Sequence, residues 1–191
     1  VSNEKSRSLG LTNFEIAITK GKKAIQLRSI KKKPARKAGQ LSDKEKAFLS
    51  RTEFNPFLKN AWLLMGKSQF QKGDFIEAAS TFAYISRIYK AEPEVVTESN
   101  LWLARCYAEL DWFYDAEDAL GRIPNDSIPH RLKREHAATM ADMLLRQQRL
   151  AEALPYLTLA ARKEPRKLQK ARLYFLLGQV QQVLGNKQES Y

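Results

Sequence analysis

The chain is poor in the residues that most chemistry needs. It has one cysteine, Cys106, and two histidines among 191 residues. A single cysteine excludes an internal disulfide and any multi-cysteine metal site. Within a helix it reads as a small packed hydrophobe, and it is compatible with cytoplasm or periplasm alike. His130 and His136 are six residues apart, on different helical faces, with no carboxylate–cysteine arrangement around them. Gly-rich phosphate loops, nucleophile elbows and metal-ligand spacings are absent. Glu117-Asp118 and Asp111–Asp115 read as charges near helix starts rather than an acid/base pair. We therefore expect a non-enzyme with no catalytic, cofactor-binding or metal-binding residues. No run of about 18 apolar residues exists to span a membrane. Val1-Ser2-Asn3-Glu4-Lys5 has neither the apolar core nor the cleavage pattern of a signal peptide.

Glycine and proline are scarce, at 8 and 7 residues, and no Val/Ile/Thr-rich alternation is sustained. An all-α fold follows. The apolar fraction of 43% is enough for a continuous core. Net charge is +12, and it is unevenly spread. Residues 1–46 hold 13 Lys/Arg against 4 Asp/Glu, or +9, which leaves +3 for the remainder.

What is present is a repeat. Gly66, Ala104, Ala141 and Gly178 are spaced by 38, 37 and 37 residues, and twelve residues after each comes Ala78, Ala116, Ala153 or Ser190. Four residues further stand Phe82, Leu120 and Leu157. A period of about 20–50 residues signals one supersecondary unit stacked on copies of itself. Small residues at matching places let two helices cross closely, with the large residue filling the groove alongside. A Leu-sized side chain at Ala104 or Ala141 would overpack the crossing, at about 1–3 kcal/mol.

The spacing divides the chain into residues 1–30, a partial N-terminal repeat; 31–55, a basic insertion with a short helix; and 56–191, about four hairpins with the last cut short. Asn13 to Arg28 predicts a helix resembling the return helix of a hairpin. Lys31–Gln40 lacks apolar periodicity and predicts a solvated loop. Ser42-Asp43-Lys44-Glu45 has the form of a capping box. Asn55-Pro56 is expected to open a helix ending near Gln71, followed by a return helix over 75–90. Glu98–Leu110 pairs with Phe113–Arg122, which is stopped early by Pro124, Asn125 and Pro129. Arg131–Gln147 pairs with Leu150–Lys163, where Pro155 is expected near the first turn. A fourth hairpin begins near Arg166 and turns at Gly185-Asn186. Because the sequence reaches Tyr191 where the second helix of that hairpin should be under way, a fragment of a longer protein is expected.

Trp62/Met65/Gly66/Ala78/Phe82, Leu103/Ala104/Tyr107/Ala116/Leu120, Met140/Ala141/Leu144/Ala153/Leu157/Pro165 and Tyr174/Leu177/Gly178/Ser190 resemble the tetratricopeptide repeat. Departures are the missing early aromatic at Asn100 and Ala137 and a slightly long period. The resemblance implies a right-handed solenoid of antiparallel helix hairpins that binds proteins. More narrowly, the stretches at 23–32, 53–62, 73–82, 111–118 and 176–179 resemble Bacteroidota outer-membrane tetratricopeptide lipoproteins linked to gliding motility and type IX secretion. This implies a location on the periplasmic face of the outer membrane, with a lipid anchor upstream.

In the family's register, a concave partner groove would present Asn60, Leu63, Lys67 and Phe70, then Leu101, Arg105 and Glu109. Ala138, Asp142 and Arg146 would follow, and then Arg172, Phe175 and Gln179. This mixture suits a protein partner with acidic and hydrophobic residues, as a peptide or helix. Leu63 and Ala138 stand where a carboxylate clamp needs polar groups, which argues against that activity. The basic run Lys31, Lys32, Lys33, Arg36 and Lys37 offers the alternative, an adaptor using residues 20–37 to bind nucleic acid or anionic membrane phosphates. It lacks interleaved aromatics for base stacking.

Overall fold

The computed structural model describes residues 2–28, 57–124 and 128–185, all of them helix or short connection, with no strand among them. Among the described residues there are eight α-helices: α1 (Ser2–Arg28), α2 (Leu58–Lys72), α3 (Phe75–Ile88), α4 (Pro93–Glu109), α5 (Phe113–Gly121), α6 (Lys133–Arg146), α7 (Leu150–Lys163) and α8 (Lys167–Val183). A 3-10 turn at His130–Leu132 leads into α6. None of these helices is long and apolar enough to cross a membrane. The chain divides into two compact units, Val1–Ile85 and Ser86–Tyr191, so the division falls inside α3 rather than at a repeat boundary. The expected loop at 31–40, the capping box at 42–45, the Asn55-Pro56 start and Ser190 lie outside the described residues.

In the first unit α1 begins eleven residues before the expected Asn13. Residues 2–12 carry no apolar stripe, but Glu, Lys, Arg and Leu are good helix formers and no proline interrupts them. α1 packs on α2 with Ile18 buried. A Cβ at Gly21 would lie 3.4 Å from the Met65 Cβ, so the two helices approach closely there. α2 and α3 meet through Gly66, where a Cβ would come within 2.8 Å of the Phe82 ring. Alongside, the Trp62 and Tyr84 rings lie 4.8 Å apart, and those of Phe70 and Phe75 5.3 Å apart. The buried Thr81 hydroxyl donates to Gln69 Oε1 at 2.8 Å.

In the second unit α4 pairs with α5, α6 with α7, and α7 with α8. α4 starts five residues before the expected Glu98, because Pro93 occupies its first turn, where a missing amide costs least. Asn100, standing where Trp62 stands one repeat earlier, is 2% exposed, and its Oδ1 accepts from the Ser86 hydroxyl at 3.1 Å. Ala141, Leu157, Leu177 and Val180 form a core shared by α6, α7 and α8. Arg131 donates to Glu98 at 2.8 Å and Arg134 to Glu164 at 2.7 Å, tying successive elements together. Pro155 is the sixth residue of α7, deeper than expected. Its absent amide deprives the carbonyl at Ala151, which is exposed, so water can replace the lost donor.

The period reappears in the turns. Gly73, Asp111, Gln148 and Gly185 all have positive φ (96°, 58°, 60° and 83°). Each follows one of Gly66, Ala104, Ala141 and Gly178 by seven residues. In the first three turns the next amide reaches back five residues, from Asp74 to Gln69, Trp112 to Tyr107 and Arg149 to Leu144, at 2.9 Å each. This is a Schellman motif, closing each first helix with a left-handed residue. In the second turn its usual apolar contact is the Tyr107–Trp112 ring pair, 5.9 Å apart. The return helix then starts identically, with the Ala78, Ala116 and Ala153 amides bonding to the carbonyls of Asp74, Trp112 and Arg149.

Candidate protein-binding surface

The expected groove positions divide sharply by burial. On α2, Asn60 is exposed, Lys67 and Phe70 are half-buried, and Leu63 is buried. On α4, Leu101 is 1% exposed. Leu63 and Leu101 are therefore core residues with no surface for a partner, contrary to the groove register. The exposed apolar residues on α2's surface are Phe57 and Leu64, on one stripe with Asn60 and Lys67 at the three- and four-residue steps of a helix. Leu64 neighbours the expected Leu63 but projects about 100° away around the helix.

In the second unit the fold brings Arg105, Glu109, Asp142 and Arg146 together on facing parts of α4 and α6. Arg146 pairs with Glu109 at 2.9 Å and with Asp142 at 3.2 Å, and it donates to the Ala108 carbonyl at 3.4 Å. Its charge is thus engaged in joining α6 to the end of α4. Arg105 lies over the Trp102 ring, 4.2 Å from its centroid. Burial lowers the Arg105 pKa, while Glu135 and Asp142 oppose that effect. Trp102, 8% exposed, is a partner that the groove register missed. Its three-residue spacing from Arg105 was the available signal. Ala138 is half-buried, and α8 is more open, with Arg172, Phe175 and Gln179 all exposed. Phe175 is 70% exposed and shares a stripe with Leu168 and Val183, at 62% and 72%.

Cys106 is fully buried, and that burial pushes its thiol up to about 12, so it packs as an inert hydrophobe. Among the described residues no group of three or more His, Cys, Asp and Glu could hold a metal ion. Lys20, Lys22 and Lys23 are exposed on α1, whereas Lys31, Lys32, Lys33, Arg36 and Lys37 lie outside the described residues. No family model, curated protein or solved structure matches the chain.

Proposed function

We propose that this chain is a tetratricopeptide-type solenoid, without enzymatic activity, that binds protein partners through the exposed faces of its first helices, α2 in the first unit and α4, α6 and α8 in the second. The observation that carries this reading is the left-handed turn recurring seven residues after each small crossing residue. A hairpin reproduced to that detail, turn included, is the unit from which stacked helical repeats are built. Phe57 and Leu64 on α2, and Leu168, Phe175 and Val183 on α8, add exposed apolar anchors beside charged groups, the combination that hot spots use. Arg172 leaves room for an acidic residue of the partner, whereas the engagement of Arg146 by Glu109 and Asp142 makes it a weaker one. By sequence resemblance, the setting we favour is the periplasmic face of an outer membrane, in a secretion or gliding assembly.

The alternative is phosphate binding by residues 20–37, which the exposed Lys20, Lys22 and Lys23 keep in view. The two readings part in a capture experiment with immobilised chain, a periplasmic extract and graded salt. Phe175→Ala with Arg172→Glu is expected to abolish capture of a defined protein, and reversing Lys31, Lys32 and Lys33 to Glu to leave it intact. Capture that ignores the α8 changes but vanishes with the lysines, or falls steeply with salt, refutes the proposal.

A further inference from the structure

α5 has nine residues, whereas the corresponding return helices α3 and α7 have fourteen each. Five residues of missing helix amount to about 7 Å. Where α5 stops, beside α6 and the start of α7, the second unit holds a cleft of about 380 Å³, within the size range of small-ligand sites. Leu120, Ile123, Met140 and Met143 give it apolar walls. Gly121, on the rim, is exposed, and a Cβ added there would meet no atom of a neighbouring element within 4 Å.

Three polar groups converge on this apolar space. Arg149 is held by two carboxylates, Glu117 at 2.6 Å and Glu152 at 2.6 and 2.8 Å, so the triad carries one net negative charge. Arg149 and Gln147 both approach Glu117 Oε1, leaving Glu117 Oε2 without a protein hydrogen bond among the described residues. His136 and Tyr156 line the same cleft, and neither makes a hydrogen bond or ion pair with a described residue. Burial lowers the His136 pKa, which favours a neutral ring.

We infer that this cleft binds an aromatic ammonium: a ring seated against Met140 and Met143, with its cation directed to Glu117. The thioethers are polarisable and make favourable contacts with ring edges. The net charge of the triad repels an anion of the same shape. His136 and Tyr156 offer hydrogen bonds to a polar group on the ligand. A free arylalkylamine and the N-terminal aromatic residue of a peptide both present this chemistry.

The three methionines of the chain supply the test, because Met65 belongs to the other compact unit and serves as an internal control. With methyl-labelled methionine, tryptamine is expected to shift the Met140 and Met143 signals while leaving Met65 unmoved. Indole-3-propionate is expected to bind at least tenfold more weakly. Glu117→Gln should weaken tryptamine about tenfold by removing a charge-assisted hydrogen bond. Gly121→Leu, which adds bulk at the rim, should weaken binding severalfold, with circular dichroism verifying that both variants fold. Tighter binding of Trp-Gly-Gly-amide than tryptamine assigns the site to a peptide N-terminus, and the reverse order to a free amine. The inference is overturned if the Met140 and Met143 signals do not move, if the acid binds as well as the amine, or if Gly121→Leu leaves binding intact.

Discussion

Exchanging the crossing pair of one repeat for that of the next is expected to be far less harmful than either half of the exchange. Phe82 is fully buried, and a Cβ at Gly66 would fall 2.8, 2.9 and 3.1 Å from its Cζ, Cε1 and Cε2 atoms. Gly66→Ala gains about 1 kcal/mol of helix propensity. It loses about 1–3 kcal/mol to overpacking, because a ring enclosed on all sides cannot swing clear. The net expectation is a loss of up to about 2 kcal/mol. Phe82→Leu alone removes ring atoms from a filled site and leaves a void beside Gly66, costing about 1–2 kcal/mol. In the double variant the Ala methyl enters space vacated by the ring tip, while the helix gain remains. Stability should return to within about 1 kcal/mol of the starting protein, with a favourable coupling of about 1.5–3 kcal/mol. Urea unfolding followed by far-ultraviolet circular dichroism gives the four free energies, and amide exchange in α2 and α3 localises the effect. Coupling below about 0.5 kcal/mol would mean that the two positions act independently, and the close-crossing argument would be wrong.

The turns and the buried carboxylate give two further expectations. Gln148 holds a left-handed conformation that costs a side-chain-bearing residue about 1–2 kcal/mol, so Gln148→Gly should raise stability by about 0.5–1 kcal/mol, whereas Gly73→Ala should lower it by about 1 kcal/mol. Thermal melts showing both variants displaced in one direction would contradict this account of the turns. Glu164 is 3% exposed. Its pKa is lowered to about 2, chiefly by the Arg166 side chain, against the cost of burial and helped by the Arg166 amide and by Arg134. A depressed carboxylate stabilises the fold above its unfolded pKa, and that contribution, about 1–2 kcal/mol given that Arg166 is largely exposed to solvent, is lost as pH falls from about 4.5 to 2. The stability gap between the starting protein and Glu164→Gln should therefore be full at pH 7 and shrink steadily through that window. A gap of equal size at pH 3 and pH 7 would remove the role given to this carboxylate.

Much of the hairpin plan was legible because it rests on side-chain volume, which the sequence states directly. The small residues at 66, 104 and 141 fall on the first helices, and α7 spans Leu150–Lys163 as the spacing requires. Helix starts were harder. The first turn of α4 is Pro93 with two β-branched valines, weak helix formers, although Val95 is buried, and the start of α1 depends on propensity alone. The turns at Asp111 and Gln148 were hidden because their left-handed backbone is imposed by the Schellman hydrogen bonds, without the glycine that marks such turns at 73 and 185. The groove register failed at Leu63 and Leu101 for a different reason. Two adjacent apolar residues, Leu63-Leu64, offer no sequence signal for which faces the core, and a one-residue change of phase rotates the exposed face by about 100°. The fold keeps Leu63 and exposes Leu64.

The repeats differ in ways that obey one constraint and ignore another. At the crossing, Gly66 stands sixteen residues before Phe82, while Ala104 and Ala141 stand sixteen before Leu120 and Leu157. The smaller partner accompanies the larger one, so the summed volume changes little. All of these residues are buried. A close-packed interior enforces that compensation, because a mismatch of even one methyl group raises the free energy of the fold. The length of the return helix meets no such demand. α5 ends at Gly121, three residues before Pro124, and solvent can occupy the space left behind. Packing therefore fixes how the hairpins cross and turn, while chemistry particular to one repeat has room to arise where a helix stops short, as at the cleft lined by His136 and Tyr156.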